Sequence, residues 1–98
     1  MKNIISDLNK AFENRVRLGI MSILMVNDDV DFNSIKETLN LTDGNLASHL
    51  KALETTEYII MHKEFVGRKP RTSYSATDPG RMAFKSHLNA LEKLIRGG

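Results

Sequence analysis

The apolar residues between positions 33 and 55 follow a helical period that is interrupted once, and this interruption limits the fold more than any other feature. Before it, Ile35 and Leu39 lie four residues apart on one face. Ser34 and Glu37 stand at capping-box spacing, which predicts the start of that helix. After the interruption, a second apolar stripe consists of Leu46, Leu50 and Leu53. The pattern predicts two short helices in succession.

The residues at the interruption can end one helix and begin the next. Asn40 tolerates the left-handed conformation with which helices commonly end. Thr42 can cap the following helix, and Leu41 and Leu46 then take the two positions of a hydrophobic staple. Two helices joined by a turn of about three or four residues form a helix-turn-helix, which we predict over about residues 33–55.

The period changes from helical to extended after these two helices. Residues 58–66 and 72–76 are rich in β-formers. The basic segment 67–71 lies between them and contains Pro70. This order predicts a β-hairpin over about residues 58–76 with a cationic loop. Residues 30–32 alternate in polarity and predict a very short strand.

Further helices are predicted on both sides of this unit. An apolar stripe predicts a helix over about residues 3–12, and Asn14 can cap a second helix that follows it. Near the other end, Asp78 fits the N-cap and Pro79 the first turn of a helix over about residues 79–96. The predicted fold class is mainly α with a small β-hairpin wing, a winged helix-turn-helix with additional N- and C-terminal helices.

Length and composition exclude several classes of protein. The chain has 98 residues, which predicts a single domain over positions 1–98. It has no cysteine, which excludes disulfide scaffolds, thiol catalysis and cysteine metal sites. The longest window without a charge, residues 18–27, is too short to cross a membrane, so we expect a cytoplasmic protein. The three histidines are scattered and no catalytic motif is present, so we expect no catalytic residue, cofactor or metal.

The polar side of the second predicted helix carries candidate DNA contacts. When its leucines face the core, the first turn presents residues 43–45, the part of a recognition helix that meets base edges in the major groove. Asparagine can pair with adenine, and lysine with phosphate or guanine. An ordinary polar helix start is the alternative interpretation. The candidate residues are Thr42, Asp43, Gly44, Asn45, Ser48, His49 and Lys51.

Positive charge is concentrated at the predicted hairpin loop. Residues 61–71 contain four cations and one acid, a net charge of +3, whereas residues 26–46 have a net charge of −4. Such a basic loop can follow the phosphate backbone or enter a minor groove, and an ordinary solvated loop is the alternative. The candidate wing contacts are Arg68, Lys69 and Arg71, and the candidate phosphate contacts elsewhere are Arg15 and Arg17.

Three runs of this sequence, Asn14 to Ile20, Leu41 to Leu50 and Phe65 to Tyr74, resemble small winged-helix transcriptional regulators of the ArsR/MarR-like group of archaea and bacteria. The resemblance extends from about residue 12 to residue 94. It implies a homodimer that binds specific double-stranded DNA sequences as a repressor or activator. It also implies that the residues at 42–49 and 68–71 belong to the recognition helix and the wing. Arg15 departs from the family, in which proline often begins this helix.

The two end helices offer more apolar surface than a winged helix needs for its own core. Surplus apolar surface usually marks an interface, so we predict a two-fold homodimer. The alternative is that both helices pack onto their own domain. The candidate interface residues are Ile4, Ile5, Leu8, Phe12, Phe84, Leu88, Leu91 and Ile95, and we expect an imidazole, His87, beside them.

Two other functions fit the same pattern. A winged helix can bind protein within a transcription complex, or it can coat DNA without sequence preference. Binding measurements separate them, because specific recognition exceeds binding to random DNA by about a thousandfold or more. No residue pattern predicts a small-molecule effector.

Overall fold

The structure is a computed structural model that describes residues 5–97. It contains four α-helices, which are α1 (Arg15–Met25), α2 (Phe32–Leu39), α3 (Asp43–Thr55) and α4 (Asp78–Ile95). The three strands are β1 (Val30–Asp31), β2 (Ile59–Val66) and β3 (Lys69–Ala76). The order α1, β1, α2, α3, β2, β3, α4 confirms the predicted fold class, with the helix-turn-helix formed by α2 and α3.

Side-chain caps begin α1 and α2, although one of them differs from the prediction. Asn14 caps α1 as predicted, since its side chain accepts hydrogen bonds from the backbone N–H groups of Val16 and Arg17. The start of α2 is capped by Asp31, whose side chain accepts from the N–H of Ser34. The predicted capping box from Ser34 is therefore wrong, because the helix begins at Phe32, which is two residues before Ser34.

The turn between α2 and α3 has the predicted conformation. Asn40 adopts a φ of 54°, the left-handed region, and Thr42 accepts a hydrogen bond from the N–H of Asn45 through Oγ1 at 3.2 Å. At its other end, α3 stops where Glu57 has a φ of 64° and the N–H of Tyr58 donates to the carbonyl of Leu53 at 3.0 Å. Both ends of α3 are thus fixed by local hydrogen bonds.

The three strands form an antiparallel sheet in the order β1-β3-β2. Val66 pairs with Lys69, so the turn contains only Gly67 and Arg68 and the predicted loop of residues 67–71 is too long. Gly67 has a φ of 66°, the conformation that a two-residue hairpin turn requires at its first position and that glycine adopts at no steric cost. Pro70 is accommodated in β3 because β1 pairs only with residues 73 and 74, which leaves β3 without a second neighbour at Pro70.

The core lies between the helices and one face of the sheet. Its members are fully or nearly fully buried, and they include the stripe predicted for α3. The buried apolar residues are Phe12, Ile20, Met21, Leu24, Ile35, Leu46, Leu50, Leu53, Ile59, Tyr74 and Phe84. The wing beyond residue 59 is exposed along the rest of β2.

The segment before α1 differs from the predicted helix over 3–12. Residues 5–8 form a turn, and only Lys10–Phe12 is helical, as a single 3-10 turn capped by the side chain of Asn9. This cap sits too near Asn14 for a longer helix to form between them. Residues 1–4 of the predicted helix lie outside the described residues.

The C-terminal helix α4 is capped by Thr77, one residue before the predicted Asp78. The Thr77 side chain accepts a hydrogen bond from the N–H of Gly80 at 3.0 Å, and Pro79 lies in the first turn as predicted. Within residues 5–97, none of the helices combines the length and hydropathy that a membrane crossing requires.

Candidate nucleic-acid interface

The polar side of α3 faces away from the core. Leu46, Leu50 and Leu53 are at most 1% exposed, which turns the opposite side of the helix outward. Six of the seven residues predicted to contact DNA from this helix and its cap are exposed, and they are Thr42, Asp43, Gly44, Asn45, Ser48 and Lys51. In the described residues, no hydrogen bond or ion pair occupies the side chains of Asn45, Ser48 or Lys51. These groups are free to meet a ligand.

The acidic residue at the start of α3 has a cation beside it. Lys36 of α2 places Nζ at 2.8 Å from Oδ1 of Asp43. This ion pair reduces the repulsion that Asp43 would otherwise offer to phosphate. Sequence reasoning missed Lys36, because the contact depends on how α2 and α3 cross at the turn and no local pattern reveals that angle.

The exception on α3 is His49, which is half-buried and contacts Arg17 of α1. The Arg17 Nη1 lies 3.2 Å from His49 Nδ1, and Arg17 Nε donates to the carbonyl of Ala11 at 2.6 Å. A guanidinium can only donate, so Nδ1 of His49 is the acceptor in this contact. The contact holds the imidazole ring against α1. Arg15, by contrast, is exposed at the start of α1.

The tip of the wing consists of the two-residue turn and the residue after it. Arg68 and Lys69 are exposed there. Among the described side chains, no acidic partner is bonded to either of them. Because a two-residue turn is the shortest common hairpin connection, the two cations project from a narrow end. This geometry suits an arm that binds the phosphate backbone.

Arg71 lies on β3 two residues after Lys69 and contacts the protein itself. Its Nη1 is 3.1 Å from Asp29 Oδ2 and 3.1 Å from Glu64 Oε1. A hydrogen bond from Ser73, followed by the hydrogen bond and charge of Arg71, lowers the pKa of the Asp29 carboxyl. Arg71 therefore ties the hairpin to the segment that precedes β1. The sequence could not show this, because Asp29 and Arg71 are 42 residues apart.

Three residues predicted at the dimer interface or beside it are buried within the protomer. The ring of Phe12 packs against Phe84 with centroids 5.1 Å apart, and both rings are at most 3% exposed. His87 is also buried, and its Nδ1 accepts a hydrogen bond from the N–H of Asn9 at 3.0 Å. These interface predictions are wrong, because the 3-10 turn folds back onto α4 and completes the core.

The other predicted interface residues keep apolar surface. Ile5, Leu88 and Ile95 are 59%, 44% and 85% exposed, whereas Leu8 and Leu91 are half-buried. Ile4 lies outside the described residues. The unburied part of the predicted interface is thus found mainly on the C-terminal half of α4.

Comparison with known proteins agrees with this geometry. A sequence model of the winged helix DNA-binding domain family matches residues 16–95. An uncharacterized protein of Methanocaldococcus jannaschii is 38% identical over 87 residues, which covers 89% of this chain and 95% of that protein.

Solved structures show the same arrangement of elements. A protein of Pyrococcus horikoshii OT3 described as a transcriptional regulator homologue superposes with a TM-score of 0.85 and 35% identity, covering 96% of this chain and 91% of that chain. The YusO protein of Bacillus subtilis has a TM-score of 0.80 at 16% identity, with coverage of 95% and 65%. The YtfH protein of Salmonella typhimurium has a TM-score of 0.70 at 22% identity, with coverage of 88% and 77%. The winged-helix resemblance is confirmed, and its narrower ArsR/MarR-like grouping stays a prediction.

Proposed function

The chain belongs to the winged helix DNA-binding domain family, and from this premise we propose that it regulates transcription as a homodimer that recognises a preferred DNA sequence. Helix α3 lies in the major groove, and the wing tip binds the adjacent backbone or minor groove. In a two-fold dimer, the two α3 helices meet half-sites about one turn of DNA apart.

The observation that carries the proposal is the free polar face of α3, in a chain that also presents an unpaired cationic wing tip. Asn45 and Ser48 offer the donor and acceptor groups that read base edges, and Lys51 can bind phosphate or guanine. Arg68 and Lys69 can bind phosphates, and such contacts do not depend on the DNA sequence. We assign Arg71 to holding the wing in place, because its guanidinium already contacts two carboxylates.

Replacing Asn45 with alanine tests whether this side chain recognises DNA bases. The side chain is exposed in the first turn of α3 and can form two hydrogen bonds with adenine. We expect N45A to cost about 1–3 kcal/mol on the preferred duplex and much less on random DNA. The preferred duplex is first obtained by selection from a random pool, and both affinities are then measured by fluorescence anisotropy.

A matched control is Asn27→Ala, which removes an exposed asparagine that follows α1, outside α3 and the wing, and donates to the carbonyl of Ile23 at 2.8 Å. It should leave the ratio of specific to random binding unchanged. An equal loss on every sequence with N45A contradicts base readout by Asn45 and favours a protein that coats DNA. Weak, featureless binding by the unchanged protein at about 50 mM salt favours a protein-interaction module.

The homodimer proposal is supported by the uncovered part of the apolar stripe on α4. At the start of the stripe Phe84 is covered by the ring of Phe12, whereas Leu88 and Ile95 further along it remain 44% and 85% exposed. These two lie seven residues apart, which is two helical turns, so they share one side of the helix. Leu91 lies between them and is only half-buried. An apolar strip of this kind is covered when two copies of α4 pack together.

Replacing Leu88 with alanine should weaken this dimer. The exposed part of the side chain would be buried between protomers, so its removal raises the dimer dissociation constant about tenfold. Sedimentation equilibrium measures this dissociation constant, because it distinguishes the 11.1 kDa monomer from a dimer of twice that mass. Met82→Ala is the control, because Met82 is 70% exposed but lies about 120° away around α4. A stable monomer that still binds the preferred duplex contradicts the proposal.

A further inference from the structure

An exposed aromatic ring lies next to the wing tip and does not belong to the hydrophobic core. Phe65 is 74% exposed and lies on β2, an edge strand of the sheet. Its neighbour across the hairpin is Pro70, and the adjacent Val66 is 60% exposed. Exposed apolar residues on an edge strand promote aggregation. A ligand that covers this ring is therefore a physical explanation for its presence.

The charges around Phe65 indicate what kind of ligand can cover it. Lys63 lies on the same face of β2, because successive side chains alternate across a strand, and Arg68 follows at the turn. Lys69 pairs with Val66 and therefore lies on the opposite face, to which the acid Glu64 also points. The ring thus has the cation Lys63 on its own face and the two cations of the wing tip close along the chain. This combination of charge and apolar surface complements a polyanion that exposes apolar groups between its charges.

Duplex DNA has this property at the minor groove. The deoxyribose rings that form its walls are apolar, and the phosphates flank them on both sides. Proteins that bind the minor groove frequently place apolar side chains, including phenylalanine, in it. A cationic hairpin end with a two-residue turn is narrow enough to approach the groove, and the turn here contains only Gly67 and Arg68.

We propose that Phe65 enters the minor groove next to the recognised site and packs against deoxyribose and base edges, while Arg68 and Lys69 bind the flanking phosphates. This inference rests on the proposed DNA-binding function and adds to it an apolar contact. An apolar contact releases no counterions when it forms. Its removal therefore lowers the affinity for DNA without changing how that affinity depends on salt. Removing a cation changes both quantities.

The experiment measures binding of the full chain and of F65A to the preferred duplex between about 50 and 300 mM salt, a range wide enough to define the log–log slope of affinity against salt concentration. We expect F65A to raise Kd about tenfold at every salt concentration, with an unchanged log–log slope. Hydroxyl-radical cleavage reports access to the deoxyriboses from the minor groove, and F65A should lose protection beside the site. Val26→Ala, which changes another highly exposed apolar residue outside the hairpin, should alter neither measurement.

Several results would overturn this inference. A Kd of F65A within twofold of the unchanged protein, with the duplex still preferred, removes the role of Phe65 and leaves the proposed function intact. A lower salt slope for F65A shows that the substitution has displaced the whole wing. A change in the sedimenting mass of F65A shows that Phe65 belongs to an interface between protein chains. Absence of DNA binding by the unchanged protein overturns the proposed function together with this contact.

Discussion

Replacing Gly80 with alanine is expected to lower the free energy of unfolding by about 3 kcal/mol or more. Gly80 lies in the first turn of α4 and is buried. A Cβ at this position would overlap the carbonyl oxygen of Tyr58, and it would lie 2.8 Å from the carbonyl carbon and 2.9 Å from the Cα of that residue. Contact with backbone atoms cannot be relieved by rotating a side chain, so a whole element must shift.

The carbonyl of Tyr58 is held in place from several directions. It accepts a hydrogen bond from the N–H of Thr77 at 3.0 Å, and Thr77 is the N-cap of α4. The N–H of Tyr58 donates to Leu53 at the end of α3. A shift that accommodates the methyl group would therefore separate α4 from the end of α3. Urea unfolding followed by circular dichroism measures the loss, and limited proteolysis detects a variant that no longer folds.

Gly44→Ala is the matched control for this prediction. Gly44 is also helical, but a Cβ there meets nothing within 4 Å. Alanine is a better helix former than glycine, so this variant should gain about 0.5–1 kcal/mol of stability. If the free energy of unfolding of G80A lies within about 1 kcal/mol of that of the unchanged protein, the contact between α4 and Tyr58 can relax. This result would contradict the expected clash.

The sequence predicted those features that depend on neighbours a few residues away. The stripe of Leu46, Leu50 and Leu53 was predicted to face the core and does so, because helical periodicity alone places three such residues on one side. Asn40 and Thr42 likewise act locally, one by tolerating a positive φ and the other by capping through its own hydroxyl. These residues fix the helix-turn-helix and hence the outward direction of the polar face of α3.

The predictions that were wrong concern contacts between residues far apart in the chain. An amphipathic stripe shows which side of a segment is apolar but not what covers it, so Phe12 and Phe84 were placed between protomers although they pack against each other. Glycine and proline among the basic residues predicted a long hairpin loop, yet Pro70 lies in β3. The ion pair of Arg71 with Asp29 depends on strand pairing that composition does not reveal.

Removing both cations of the wing tip is expected to have the largest effect on DNA binding. Arg68 and Lys69 are exposed and have no acidic partner within residues 5–97, so both charges are available to phosphate. In the proposed dimer, the R68A/K69A double variant removes about four phosphate contacts, which lowers the log–log salt slope by about four. At about 0.15 M salt, the same loss of counterion release weakens binding about a thousandfold.

The control for this variant removes the same charge from another surface. Lys85 and Lys93 are exposed on α4, outside the wing and α3, so K85A/K93A should change the slope by less than about one. An equally large effect from this control would mean that overall charge, and not the wing tip, attracts DNA. Titrations with the preferred duplex and with random DNA over a range of salt concentrations supply all the slopes.

The loss in R68A/K69A should be nearly the same on preferred and random DNA, because phosphates carry no sequence information. Replacing Asn45 on α3 should have the opposite effect, a loss of affinity that is confined to the preferred duplex. Together the two variants separate the part of the molecule that positions it on DNA from the part that reads bases. A loss in R68A/K69A that is confined to the preferred duplex would contradict this division and would assign sequence readout to the wing.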